Sequence, residues 1–424
     1  VTWRPGPRAE WVAAVNRGDV WPLAEVAAVP FTLERLAGDA ASRLGRSGAD
    51  VVATLGDDSV EALGVLLPAL EDEANLTVLG RWITHRFLAR LVEQRLALEA
   101  YTASDPEVRG EEIVAPWFVV GAPRTGTTVL FGLLATDDRL RAPEGWELLR
   151  PVPPPARDPD PSARIALAGT ELQTPQVVAD GLVAIHEYSA RMPKECLSAM
   201  SLAFRSEEFV ARYDVPTYTE WLHRGDPLPA YEMHRRVLQV LQRGAPTRRW
   251  LLKSPVHLQA LPTLLHVYPD ARLSTTHRDP VAFLASVSSL VATMRSVHSD
   301  VVDPVAIGRY HVDLYARSLD RLVDLVDDGT LAADRCTHSR HRDFVDDALA
   351  VASGIYAHFG WDLPAPTRAA MVAYLDGQGT DTGAVHHSTA TDFGIDPVEV
   401  DDRFARAAAR FLSAPAGPTG ADRS

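Results

Sequence analysis

The stretch "WFVVGAPRTGTTVLFGLL" at residues 117–134 places the tightest limit on what this chain can fold into. Its short aromatic and β-branched run, ending at Gly121, reads as a buried strand, and the apolar residues after Thr128 read as the first turns of a helix. Between them, Gly121 and Gly126 have the G-x-x-x-x-G spacing of a phosphate-binding loop. Such glycines let the backbone fold round an anion while the helix start aims its free N–H groups at it. An ATP-binding loop would carry lysine at the next position, which here is Thr127. Arg124 supplies charge from another direction, and Thr127 and Thr128 add hydroxyl donors. A tight strand–helix turn with an exposed arginine is the simpler alternative for this stretch taken alone.

Further strands are expected at "WLLK" (250–253), "RLSTTH" (272–277) and "RCTHSRH" (335–341). Each precedes a helical pattern, so the middle of the chain alternates strand and helix and calls for an α/β fold with a parallel sheet. From Ser59 to about Tyr101, leucines at 63, 66, 67, 70, 88, 91 and 96 recur at helical spacing. The proline-rich segment 151–164 cannot be helical, and a helical pattern returns between about 162 and 243. The expected organisation is a helical extension over 1–112, an α/β domain over 113–412 with a helical insertion at about 162–243, and a tail at 413–424 of disordered composition.

A net charge of -14 argues against a general binder of nucleic acid or anionic membranes, so any anion must be caught by a local cluster. Two cysteines, Cys196 and Cys336, exclude a disulfide scaffold and a cysteine-built zinc site. In "RMPKECLSAM", Cys196 lies on an apolar helical face and reads as core, not nucleophile. His338 and His341, or His386 and His387, are close in sequence, but no HExxH accompanies them and no metal is expected. No apolar run reaches spanning length and no signal peptide is recognised, which gives a cytoplasmic expectation.

A second anion site is expected at "STTHRDPVAFLASV" (274–287). Asp279 can cap the helix, Pro280 suits its first position, and Ser286 lies less than two turns inside. Arg278, at the strand end, can then meet one phosphate together with Ser286. "HRDP" (277–280) and "TDFG" (391–394) mimic protein-kinase signatures. Their long separation and the apolar helix where a catalytic asparagine should stand exclude that reading.

Together these motifs resemble sulfotransferases that use 3′-phosphoadenosine 5′-phosphosulfate (PAPS). "GAPRTGTT" is similar to their 5′-phosphosulfate loop, with Arg124 at its basic position, and Arg278 and Ser286 match their arginine–serine pair for the 3′-phosphate. The resemblance implies a P-loop, nucleotide-kinase-like sheet flanked by helices. The donor would be held by Gly121, Pro123, Arg124, Thr125, Gly126, Thr127, Thr128, Arg278 and Ser286, with Arg124 and Lys253 on the transferring sulfonate. His341 stands where the family has a tyrosine against adenine, and His386 or His387 would close over the nucleotide in place of the absent R-K-G-x-x-G. The acceptor would be a small molecule with a hydroxyl (or amine), a secondary metabolite or lipid among the candidates, held by the helices around 60–101 and 165–243. Its proton would pass to His257 of "KSPVH", two residues farther from the lysine than in the family's K-T-H, or to Glu147 of "RAPEGWELLRP", with Glu144 behind it. Two alternatives stay open: a nucleotide-dependent phosphotransferase of the same fold, and a catalytically silent nucleotide-binding protein.

Overall fold

A computed structural model describes residues 3–179, 182, 189–246, 248–377 and 389–413. Side chains of the strand β1 (Trp117–Gly121) alternate between two buried layers, as a strand's period of two requires. Phe118 and Val120 enter the larger core with Leu252 and Leu273, whereas Trp117 and Val119 enter a smaller one with Leu251, Tyr356 and Phe359. Trp117 meets Tyr356, Phe359 and Trp361 edge-on at 5.7, 5.2 and 5.8 Å, and its indole N–H donates to Ser274 Oγ at 2.9 Å. Burying a ring of this kind contributes on the order of 2–3 kcal/mol. A strand covered on both faces reads as a continuous apolar run, which is why "WFVV" shows no polar alternation.

β1 is the middle of a five-stranded sheet in the order β2-β3-β1-β4-β5, with β2 (Leu140–Arg141), β3 (Arg249–Lys253), β4 (Arg272–His277) and β5 (Cys336–Arg340). Every neighbouring pair is parallel. The α/β expectation therefore holds, and β1, β3, β4 and β5 fall where the sequence pattern puts them. β2 was not foreseen: two residues, pairing Leu140 with Arg249, are too few to carry a pattern.

The amino-terminal helices Asp57–Asp72 and Val78–Ser104 pack into the same core as the sheet, and that one cluster runs from Phe31 to Phe411. Because all strands are parallel, Gly121, Lys253, His277 and Arg340 end at one edge of the sheet. The chain crosses β1 between β3 and β4, so strand order reverses beside β1, the position where α/β sheets open a crevice for ligands. No described helix is long and apolar enough to cross a membrane.

Candidate active site

The loop after β1 turns at two residues with positive φ, Arg124 at 66° and Gly126 at 101°. Gly126 then begins the helix Thr127–Leu134. A Cβ at Gly121 would stand 2.6 Å from Thr276 Oγ1 and 2.8 Å from its carbonyl oxygen, so only glycine allows β1 and β4 to approach this closely. Thr125 is buried: its hydroxyl donates to the Ala122 carbonyl at 2.7 Å and shares a hydrogen bond with Thr276 Oγ1 at 2.6 Å. Gly121 and Thr125 thus shape the loop from behind. Pro123, Arg124, Gly126, Thr127 and Thr128 line a cavity of about 1450 Å³ that opens at the strands' carboxyl ends.

Both expected anion sites meet at one side of this cavity. Arg124 Nε donates to Ser286 Oγ at 3.2 Å, and Arg278 Nη1 donates to the Arg124 carbonyl at 2.8 Å. Asp279 Oδ1 accepts from the Ala282 N–H at 2.9 Å and Pro280 opens the helix Pro280–Ser296, which fixes Arg278 and Ser286 relative to each other. Burial and the neighbouring Arg124 hold Arg278 below the ordinary arginine value. His341, first residue of the helix His341–His358, also lines the cavity; burial, then Arg278 and Arg124, lower its pKa and favour the neutral ring.

Lys253 stands on the other side of the loop. Its buried Nζ donates to Thr128 Oγ1 at 3.1 Å and to Glu195 Oε1 at 2.5 Å. Arg124 and Lys253 were expected to converge on one sulfonate. Arg124 Nε bonds Ser286 and Lys253 Nζ bonds Thr128.

Neither expected proton acceptor faces the cavity. Pro255 starts a 3₁₀ turn over Pro255–Gln259 that presents Pro255, Val256 and Gln259 to the cavity and turns His257 inward. His257 is fully buried, its Nδ1 at 2.9 Å from the Tyr231 hydroxyl and its ring edge-on to Phe118 at 4.9 Å. Burial drives its pKa well below the usual histidine value, so it stays neutral inside the core. Glu147 is also buried: Oε1 pairs with Arg141 at 3.0 Å, and Oε2 accepts from the Glu144 N–H at 2.9 Å to cap the short helix Gly145–Leu149. Glu144 in turn accepts from the Trp146 indole at 2.6 Å. His386 and His387 lie outside the described residues.

The carboxylate that does reach the cavity beside Lys253 is Glu195. It sits in an extended segment held from both sides: the Lys194 N–H donates to the Pro143 carbonyl at 2.8 Å, and the Cys196 N–H donates to the Lys253 carbonyl at 3.0 Å. Sequence reasoning missed it because "RMPKECLSAM" was read as helix throughout. Pro193, followed by two charges ahead of a buried cysteine, is the signal that the helix begins only at Leu197. Cys196 itself is buried, and burial raises its thiol pKa, as a core position requires.

Beyond Lys253 the cavity passes between helices Val78–Ser104, Ser162–Val178 and Pro280–Ser296, where Ile83, Phe87, Leu172, Leu290, Val291 and Met294 line it. Of the two regions expected to form the pocket, part of each is there: the helix Val78–Ser104, but not Asp57–Asp72, and the segment 167–212. Helices Pro216–Arg224 and Leu228–Gln242 do not line it, whereas Pro280–Ser296 and Pro304–Asp327 do. One wall carries Glu208: burial alone would raise its carboxyl, but Arg212 and Lys194 bring it down to about 2.

A parallel sheet with a glycine loop and helix start at its order reversal, and cations arriving from three strand ends, has the layout of a site for an anionic ligand. The chain belongs to the sulfotransferase family, whose model matches residues 116–365. It is 30% identical over 275 residues to omega-hydroxy-beta-dihydromenaquinone-9 sulfotransferase Stf3 of Mycobacterium tuberculosis and of Mycobacterium bovis, a match over 59% of this chain. The match spans 64% of the length of those curated relatives. Among solved structures, sulfotransferase STF1 from Mycobacterium tuberculosis superimposes with a TM-score of 0.74 at 30% identity, over 88% of this chain and 98% of that one. Sulfotransferase STF9 from Mycobacterium avium gives a TM-score of 0.76 at 27% identity, over 90% and 97% of the two chains.

Proposed function

We propose that this protein transfers the sulfuryl group of PAPS to a hydroxyl on a largely apolar small molecule. The observation that carries the reading is the joining of the two anion sites: Arg124 of the loop reaches Ser286, and Arg278 holds the Arg124 backbone. An ATP loop needs one phosphate cradle. A donor with phosphates on both ends of its ribose needs two, on adjacent strands, as β1 and β4 are. The residues fit such a donor. The helix start at Thr127 and Gly126's left-handed turn suit the 5′-phosphosulfate, and the mutual repulsion of Arg278 and Arg124 is relieved by an anion between them. His341, beside Gly126, is a neutral ring suited to stacking on a base.

PAPS supplies a sulfuryl group on a phosphate leaving group. Lys253 and Thr128 would stabilise charge on the bridging and sulfonate oxygens, and the loop N–H groups would take up the phosphate charge that grows as the bond breaks. By analogy with phosphoryl transfer, positioning and electrostatics supply most of the acceleration. The apolar wall of Ile83, Phe87, Val291 and Met294 supports an acceptor with an apolar body, and the relative acting on a hydroxylated dihydromenaquinone fits a lipid-like alcohol here.

Thermal-shift measurement with adenosine 3′,5′-bisphosphate (PAP) against ATP tests the donor. PAP is expected to raise the melting temperature and ATP to do little. Preference for ATP would favour a phosphotransferase. Arg278→Ala should abolish the PAP shift, and an unchanged shift would remove Arg278 from the phosphate site.

A further inference from the structure

We infer that Glu195 takes the acceptor's proton, and that Lys253 alternates between Glu195 and the transferring sulfonate. The inference rests on the sulfuryl-transfer reading above and names the group that reading lacks. A base must reach the acceptor oxygen within hydrogen-bond distance while that oxygen faces the sulfur. The sulfur has to lie against the phosphate loop, and the described marker of that place is Lys253 Nζ, 3.1 Å from Thr128 Oγ1. Glu195 Oε1 is 2.5 Å from the same ammonium and lines the same cavity as the apolar arm.

The position is built in. Backbone bonds from Lys194 to Pro143 and from Cys196 to Lys253 clamp the residue on both sides, so the carboxylate is held against β3 without relying on its own ion pair. Among the described residues, the groups that act on it include Lys253 from β3, Lys194 and Cys196 from its own segment, and Tyr315 from the helix Pro304–Asp327. Tyr315 lines the cavity too, but burial, followed by the charges of Glu207 and Glu195, raises its phenol well above the usual range. It remains protonated and cannot accept. Burial lowers Lys194, while Glu208 and Glu195 oppose the loss of its charge.

Without donor, Lys253 pairs with the carboxylate. When a sulfonate competes for Lys253, the carboxylate loses its cation in a space that is losing water, and its affinity for a proton rises. The acceptor O–H proton moves to a Glu195 oxygen as the acceptor O–S bond forms. The S–O bond to the 5′-phosphate breaks, and its electron pair leaves on PAP.

The test compares wild type, Glu195→Gln and Glu195→Ala with PAPS and two acceptors of unlike acidity, decanol and β-naphthol. Glu195→Gln should keep the PAP thermal shift and lose about 100- to 10,000-fold in kcat with decanol, the range of general-base catalysis. The loss should be much smaller with β-naphthol, whose proton leaves readily, and the acidic limb of the kcat profile should disappear. Formate should restore part of the decanol activity of Glu195→Ala. Equal losses with both acceptors, a lost PAP shift, or full activity in Glu195→Gln would each overturn the assignment of Glu195 alone. Wild-type protein that neither binds PAP nor sulfates either probe would instead overturn the reading on which it rests.

Discussion

At the donor end of the cavity, each polar group follows a strand's carboxyl end: Arg124 and Thr128 after β1, Lys253 at the end of β3, Arg278 after β4 and His341 after β5. The acceptor arm has no such frame. Phe87, Leu172, Val291 and Leu314 come from the sides of four helices far apart in the chain, and what they share is only that they are apolar. The first half is fixed by backbone geometry, which admits few residue types at each place. The second is fixed by volume, which many apolar residues can fill. The donor end should therefore respond sharply to single changes, and the arm gradually.

At the donor end the largest effect is expected at Lys253. Lys253→Met should lower kcat by about 100- to 1000-fold, as removal of one charge-stabilising donor does elsewhere. A loss of less than tenfold by steady-state assay would place the sulfonate away from β3. In the arm, Val291→Glu puts a carboxylate on an apolar wall and should raise the KM for decanol by about tenfold or more. The PAP shift should survive in that variant; its disappearance would mean that the two halves are not separable. Gly121→Ala forces β1 and β4 apart at Thr276 and should cost about 1–3 kcal/mol in denaturant unfolding. A last effect concerns the whole fold. Burial drives His234, His298 and His311 down to about 3, against roughly 6.5 in an unfolded chain. The unfolded state then binds more protons than the native one below about pH 6.5, so stability is full above that pH and declines as pH falls toward the folded values. The melting temperature should decrease steadily from about pH 6.5 to 5, and a flat profile would show that these rings are not held neutral.

The contrast between the halves also governs what the sequence disclosed. "GAPRTGTT" and the Arg278–Ser286 spacing were legible because a loop and a helix start each impose a local order of residues. Glu195 was not, because its place depends on hydrogen bonds to Pro143 and Lys253, partners distant in sequence. His257 misled for a related reason. Its spacing from Lys253 looked close enough to a base motif, but Pro255 starts a tight turn that rotates the imidazole into the Phe118 layer. Glu147 shows the opposite trap: a glutamate three residues after Glu144 is equally the sign of a capped helix, and here it caps. The two-residue β2 carried no readable pattern at all.

The clasp at residues 194–196 has a consequence for anyone who would reshape this molecule. The excursion between the loop helix and β3 supplies cavity-lining residues such as Leu172 and Leu197, and it returns to the sheet at Cys196, whose N–H is pinned to Lys253. Apolar wall residues on helices Val78–Ser104 and Pro280–Ser296 can be exchanged piecemeal. A transplanted excursion, in contrast, must bring its own match for the Pro143–Lys194 and Cys196–Lys253 bonds. Without them a new acceptor wall would arrive with Glu195 out of register, giving a chimera that binds both substrates yet turns over slowly.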